Sequence, residues 1–370
     1  MAATHTQIFL TGATGKLLPY FHYIHYNVDF ILIPGYIGGT ILTRLLSHPK
    51  FNTFKITVLV RDQAKAKRLE TLNITAEVGS HSDLARLEEL ASNADVVFAA
   101  ANCDDLEAAQ AINKGLKKRK EATGNLPILI HTSGTAVVCD DAAGMTGSEI
   151  IYSDANPIQI ESLASTQPHR EVDLSIVDAG IKGYLRSYIV LPSTVWGLAS
   201  GPLVDMKLQN PHSQQIPGMI KIGLARGQGA TIGQGRNLWP NVEINELGDL
   251  YMLLFDAALS NPSVPHGREG YYFGAADEHV LSDIYETVSK ELYGNGVGKG
   301  VEPTLLTRDE AIKFFGNEWL ATKVMGGNSR CRADQPRQLL GWKPEKGTSD
   351  MVDSIKAEVE VILARVHETT

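Results

Sequence analysis

The sequence predicts an α/β protein built on a doubly wound parallel sheet, with a smaller C-terminal α/β lobe. Three observations carry this. Short β-type runs alternate with helical patterns through the first half of the chain, a glycine-rich turn follows the first run, and the second half mixes short elements with Gly/Pro-rich loops. Alternation at this spacing calls for right-handed crossovers, which put helices on both faces of a parallel sheet. The division expected is residues 1–191 for the sheet domain and 192–370 mainly for the lobe, with some lobe segments returning to the first domain.

The first strand is Ile8-Phe9-Leu10, and it runs into Thr11-Gly12-Ala13-Thr14-Gly15. The continuation of that turn stands further along, at Gly35-Tyr36-Ile37-Gly38-Gly39, followed by a helix whose Ile37, Ile41, Leu42 and Leu45 share one face. Between them lies Lys16 to Pro34, in which five of nineteen residues are aromatic against 7 % for the whole chain. His22, His25, Asn27 and Asp29 interrupt its apolar residues and Pro19 breaks it, so it is not a membrane span. It reads as retained intron sequence, because Gly15-Lys16 can be encoded with a splice donor and Pro34-Gly35 with an acceptor. Such a segment is set aside in reasoning about the fold.

Joined across the insert, the glycines occupy the first, fourth and seventh places of a strand–turn–helix unit, Gly12, Gly15 and Gly38. This is the dinucleotide-binding turn of a Rossmann sheet. The first glycine permits the tight turn, the second lets backbone approach a pyrophosphate, and the third lets the helix pack close to the strand. Free N–H groups at the helix start then face the phosphates. The insert is expected to displace that helix start from the phosphates.

The second strand is Lys55 to Val60, followed by Arg61-Asp62 and a charged helix over Gln63 to Glu70. A carboxylate ending this strand would hold a ribose 2′-hydroxyl, whereas Arg61 suits a 2′-phosphate and can stack on adenine. NADP(H) is therefore favoured over NAD(H), although NAD remains compatible with Asp62 next door. Ala76 to Val78 is the third strand, and Ser82 or Asp83 caps a helix carrying Leu84, Leu87 and Leu90. Asp95 to Ala100 is the fourth, a long helix covers Leu106 to Ala122, and Pro127 to Thr132 is the fifth. A sixth falls at Arg186 to Leu191.

The joined text, TGATGYIGG with VLVRD, DVVFAAA and IHTSGT, resembles the extended, NAD-dependent epimerase/dehydratase-like branch of the short-chain dehydrogenase/reductase superfamily. Leu191 to Gly197 is similar to a later loop of that branch, with Leu191 in place of its arginine. Asn241 to Ile244, Gly270 to Phe273 and Leu340 to Pro344 are similar to parts of its substrate lobe. The resemblance implies that Gly12, Thr14, Gly15, Tyr36, Ile37 and Gly38 line the pyrophosphate and Arg61 the adenosine phosphate. It places Ser80 and His81 at the adenine and Ala99, Ala100 and Ala101 on the path to the nicotinamide. Ser133, ending the fifth strand, matches the catalytic serine.

That branch also uses a tyrosine with a lysine four residues on. None of the twelve tyrosines here has one. The helix that should carry the pair, Pro168 to Lys182, contains His169, Arg170, Glu171 and Asp173 instead. Tyr152, shortly after Ser133, is the substitute acid/base expected from sequence, and His169 or Lys182 can supply charge near the ribose.

Composition narrows the function. With 43 % hydrophobic and 21 % charged residues the chain is globular, and a formal charge of -8 opposes general nucleic-acid binding. No membrane association is expected. Cys103, Cys139 and Cys331 show no metal-ligand spacing, so neither a disulfide framework nor a metal site is expected, and a cytoplasmic location follows. The glycine run Gly227 to Gly235 lacks the P-loop lysine and reads as turns around a short strand. The expected function is NAD(P)-dependent oxidation or reduction of a small carbonyl or hydroxyl substrate. The alternatives are a catalytically silent NmrA-like dinucleotide-binding regulator and a nucleotide-sugar epimerase or dehydratase.

Overall fold

The computed structural model describes residues 5–13, 35–316 and 318–369. Seven strands form the main sheet: β1 (Thr6–Thr11), β2 (Phe54–Val60), β3 (Thr75–Val78), β4 (Val96–Ala99), β5 (Ile128–Thr132) and, after the short β6 (Tyr152–Ser153), β7 (Arg186–Pro192) and a later strand, Tyr271–Gly274. Every neighbouring pair is parallel, including Tyr271–Gly274 beside β7. The spatial order is β3-β2-β1-β4-β5-β7 and then Tyr271–Gly274, so the winding reverses between β1 and β4. A crevice opens at the carboxyl ends of strands at such a reversal.

These strands are legible because both of their faces are covered. Ile8, Phe9 and Leu10 are buried, as are all four residues of β4, which is the signature of a parallel sheet between helix layers. The covering helices in the first half are α1 (Tyr36–Leu46), α2 (Gln63–Glu70), α3 (Leu84–Ser92) and α4 (Leu106–Thr123). The short α5 (Pro157–Glu161) leads to α6 (Arg170–Ile181), which packs against α4.

The second half adds β8 (Thr194–Trp196), α7 (Pro202–Asp205), α8 (Gln215–Arg226), β9 (Ala230–Thr231), β10 (Leu238–Glu243) and α9 (Ile244–Ser260). Tyr271–Gly274 is β11, and β12 (Asp277–Val280), α10 (Leu281–Gly294), β13 (Thr304–Leu305), α11 (Arg308–Phe315), β14 (Cys331–Arg332), α12 (Asp334–Leu339) and α13 (Thr348–Thr369) follow. Helix α9 packs on α1, while β8, β10 and β12 form a small mixed sheet. A second core joins α8, α10 and α13 through Ile220, Leu281, Ile284, Leu292, Met351 and Ile355. Trp239 and Tyr271 are core residues: the indole N–H of Trp239 donates to Gly327 O, and the Tyr271 hydroxyl accepts from Arg170.

Among the described residues, no helix is long and apolar enough to cross a membrane. The glycine run beyond α8 forms turns flanking β9, with Gly227, Gly233 and Gly235 at positive φ.

Candidate active site

The helix starts around the crevice differ in one respect. Asp62, Asp83 and Asp105 cap α2, α3 and α4, each accepting from the backbone N–H three residues on, at 2.8, 3.1 and 3.0 Å. Each such cap contributes about 1 kcal/mol and satisfies an orphan donor. Helix α1 begins at Gly35, which supplies no side-chain cap, and its first turn holds no acid. Its N–H groups and the positive end of its dipole are left for an external anion.

The turn before α1 closes in spite of the interruption. Gly35 N–H donates to Gly12 O at 3.1 Å, so the helix start is held against the end of β1. The displacement expected from the insert is therefore not found among the described residues. A bond between the two flanks fixes the helix end whatever length of chain joins them. Gly35 fills the place that the continuous reading gave to Gly15. Thr14, Gly15 and the segment from Lys16 to Pro34 lie outside the described residues.

Gly12 has φ +83, and a Cβ there would stand 2.2 Å from Ala100 O; a Cβ on Gly38 would stand 2.5 Å from Gly12 O. Both therefore have to be glycine, and β1, α1 and the Ala100 loop meet backbone to backbone. Ala99 is buried at the end of β4, with Ala100 and Ala101 following it at the crevice. Ile37 packs against the core, whereas the Tyr36 side chain turns away from the crevice and donates to Gly197 O at 2.6 Å. That contact ties α1 to the loop after β8. Burial first, then Glu358 and Glu243, raise the Tyr36 pKa.

At the other end of the crevice Arg61 follows β2. Its Nη2 is buried and has no partner among the described residues, and neither has the Nζ of Lys65, one helical turn on. Burial, then Arg61 and Arg68, depress the Lys65 pKa against the opposing pull of Asp62. Two unpaired cationic groups in one place cost free energy that an anion between them would recover. The glycine cradle and the uncapped helix suit a pyrophosphate, and the buried cationic pair suits a second anionic group. Ser80 shares a hydrogen bond with Ser82 at 2.8 Å, and His81 reaches Asp105 at 3.1 Å across the mouths of the third and fourth strands.

Ser133 directly follows β5 and is buried. Its hydroxyl donates to Asp173 Oδ2 at 3.1 Å, and Asp173 has no solvent exposure. Burial pushes the Asp173 pKa up to about 6, although His169, the Ser133 bond and Arg170 oppose it. Its other oxygen is buried without a partner among the described residues. His169 is the N-cap of α6 with a left-handed φ of +64, a conformation that costs a non-glycine residue about 1–3 kcal/mol. Its Nδ1 lies 2.7 Å from Asp104 Oδ1 and 3.3 Å from Cys103 Sγ. Burial disfavours the imidazolium, but Cys103 and Asp104 outweigh it and hold the pKa well above the ordinary value. Nε2 takes part in no hydrogen bond among the described residues and would stand 3.2 Å from a Cβ at Gly134.

His169 and Asp173 thus stand four residues apart on the helix where the resemblance expects tyrosine and lysine. That spacing was the one signal in the sequence for the pair. Tyr152 lies in β6, opposite Cys331 of β14, with Asp140 and Lys323 as its charged neighbours. No hydrogen bond joins it to Ser133. Lys182, at the far end of α6, pairs with Asp178. Sequence reasoning missed Lys65, Asp104 and the buried role of Asp173.

No family model matches the chain. It is 28 % identical over 355 residues to the oxidase ucsJ of Acremonium sp., a match covering 91 % of this chain and 92 % of that protein. Among solved structures it resembles the dTDP-glucose 4,6-dehydratase DesIV of Streptomyces venezuelae, with NAD bound, at TM-score 0.63 and 13 % identity. That match covers 99 % of this chain and all of the other. The UDP-glucuronic acid 4-epimerase of Bacillus cereus, with NAD, aligns at TM-score 0.59 and 14 % identity over 96 % of this chain and 100 % of its own. The chain therefore has a Rossmann-type α/β fold. Its architecture is similar to that of these solved structures over nearly the whole chain.

Proposed function

We propose that the chain is an NADP(H)-dependent oxidoreductase of the epimerase/dehydratase-like branch of short-chain dehydrogenases, acting on a small carbonyl or hydroxyl substrate. The carrying observation is the convergence of Ser133, His169 and Asp173 at the carboxyl end of β5, beside the crevice. Gly12, Gly38 and the α1 N-terminus would hold the pyrophosphate, and Arg61 with Lys65 the 2′-phosphate. The bound nicotinamide supplies the hydride equivalent.

His169, charged because Asp104 and Cys103 stabilise its imidazolium, presents Nε2–H as the proton donor to a carbonyl oxygen. Ser133 fixes that oxygen. When Asp173 is protonated it donates to Ser133 Oγ, which frees the serine O–H for the substrate; when ionised it takes the serine hydrogen for itself. The reverse direction uses the same groups with His169 receiving the proton. Tyr152 is left a peripheral part, as its surroundings favour packing at the β6–β14 pair.

NADPH consumption across a panel of aldehydes and ketones tests this. Turnover with at least one substrate and its loss in Ser133→Ala are expected. Tight NADPH binding with no turnover anywhere would overturn it and favour the silent regulator, a reading that the missing Tyr/Lys pair supports. Turnover confined to UDP- or dTDP-sugars would favour the chemistry named for the solved relatives.

A further inference from the structure

One group of side chains around the site is left unexplained by proton transfer alone. Cys103 and Asp104 sit side by side on the loop after β4, and both direct a donor atom at the same nitrogen of His169. The three separations are 2.7 Å from nitrogen to carboxylate oxygen, 3.3 Å from nitrogen to sulfur, and 3.8 Å from sulfur to the second carboxylate oxygen. A proton on Nδ1 can satisfy one of these acceptors well, not both. The carboxylate and the sulfur are also partly open to solvent, so the cluster can be reached.

The geometry points to a site for a thiophilic divalent cation, Zn²⁺ above all, held by Cys103 Sγ, Asp104 carboxylate and His169 Nδ1. Bonds of about 2.3 Å to sulfur and about 2.0 to 2.2 Å to nitrogen and oxygen in a tetrahedron set the donors about 3.4 to 3.6 Å apart. The observed separations bracket that range, so side-chain rotations of a few tenths of an ångström suffice. All ligand atoms already lie within 4.8 Å of one another. A thiolate and a carboxylate balance the charge of the ion, and the neutral imidazole completes three protein ligands with a fourth position open, an arrangement zinc accepts.

His131, in β5 beside Ala99, is also buried, and neither of its ring nitrogens has a partner among the described residues. Sequence spacing concealed the site, because the histidine stands at the start of α6, 65 residues from the carboxylate.

Binding consumes Nδ1 and fixes the ring of His169, so the ion silences the residue that donates the proton. The inhibitory consequence rests on the functional reading above; the binding does not. The experiment is therefore made on the full chain without cofactor or substrate. The protein is stripped with chelator and titrated with Co²⁺, with the thiolate-to-cobalt charge-transfer band and the visible bands of tetrahedral cobalt as readouts. One equivalent of Co²⁺ giving both sets of bands, displaced by Zn²⁺, is expected. The charge-transfer band should vanish in Cys103→Ser, and Asp104→Asn should weaken binding. A titration without that band, or one unchanged by Cys103→Ser, overturns the proposal. Circular dichroism of the variant identifies any loss that comes from unfolding, and the wild-type spectrum alone already decides the first outcome.

Discussion

Asp173→Asn isolates the cost of holding a carboxyl at the inner edge of the sheet. Asp173 has no exposure, one oxygen without a partner, and a pKa moved from 3.8 up to about 6, chiefly by burial. Below about pH 4 the group is protonated whether the chain is folded or not, and above about pH 6 it is ionised in both states. Between those limits the folded chain keeps a proton that the unfolded chain has released. Stability from this group is therefore fully present at the acid end, falls through that window, and stays lower at neutral pH. The difference in acidity is about a hundredfold, or roughly 3 kcal/mol. Asparagine preserves the shape and an acceptor for the Ser133 hydroxyl but has no such proton. Its advantage over the parent chain should be absent near pH 4 and approach ~3 kcal/mol by pH 7, minus whatever its amide loses for want of a partner. Urea unfolding followed by tryptophan fluorescence across this range measures it. Parallel pH dependences for the two proteins would refute the reasoning, since the variant would then lack no titrating cost.

The remaining expectations concern the cofactor. Arg61→Ala should lower affinity for NADPH by roughly tenfold or more, the scale of a lost charge-assisted phosphate contact, and leave that for NADH nearly untouched; an unchanged affinity ratio in calorimetry would remove the 2′-phosphate assignment. A chain lacking Lys16 to Gly35 joins Gly15 to Tyr36. Because Gly35 already closes on Gly12, it should bind NADPH with the stoichiometry and affinity of the full chain. Binding by the shortened form alone would show that the closed turn is not kept in the full chain.

Much of the fold was legible because the parallel strands carry their own signature. Ile8 to Leu10, Val96 to Ala99 and Ile128 to Ile130 are unbroken apolar runs, as strands buried on two faces must be. The glycine turn was legible for a related reason: only glycine tolerates a backbone 2.2 to 2.5 Å from the place its Cβ would occupy. The site was less so. Lys65 lies in a helix with Lys67 and Arg68, where one more cation reads as solvated surface, and nothing local says that its amine is enclosed. Asp173 is one of two acids in the first turn of α6, and sequence does not tell that it is the one turned inward toward Ser133. Cys103, Asp104 and His169 meet only because α6 brings its start over the β4 loop.

The contrast between three aspartate-capped helices and one left bare has an electrical meaning for the whole molecule. A body with a formal charge of -8 repels a polyphosphate at long range, so capture has to be made within the last few ångströms. Closing those three helix ends removes competing attractors from the rim and favours the bare, acid-free start of α1 at the winding reversal. The protein thereby biases where a pyrophosphate can settle, while the unpartnered Arg61 and Lys65 at the other end of the crevice leave a second, separate place for an anion.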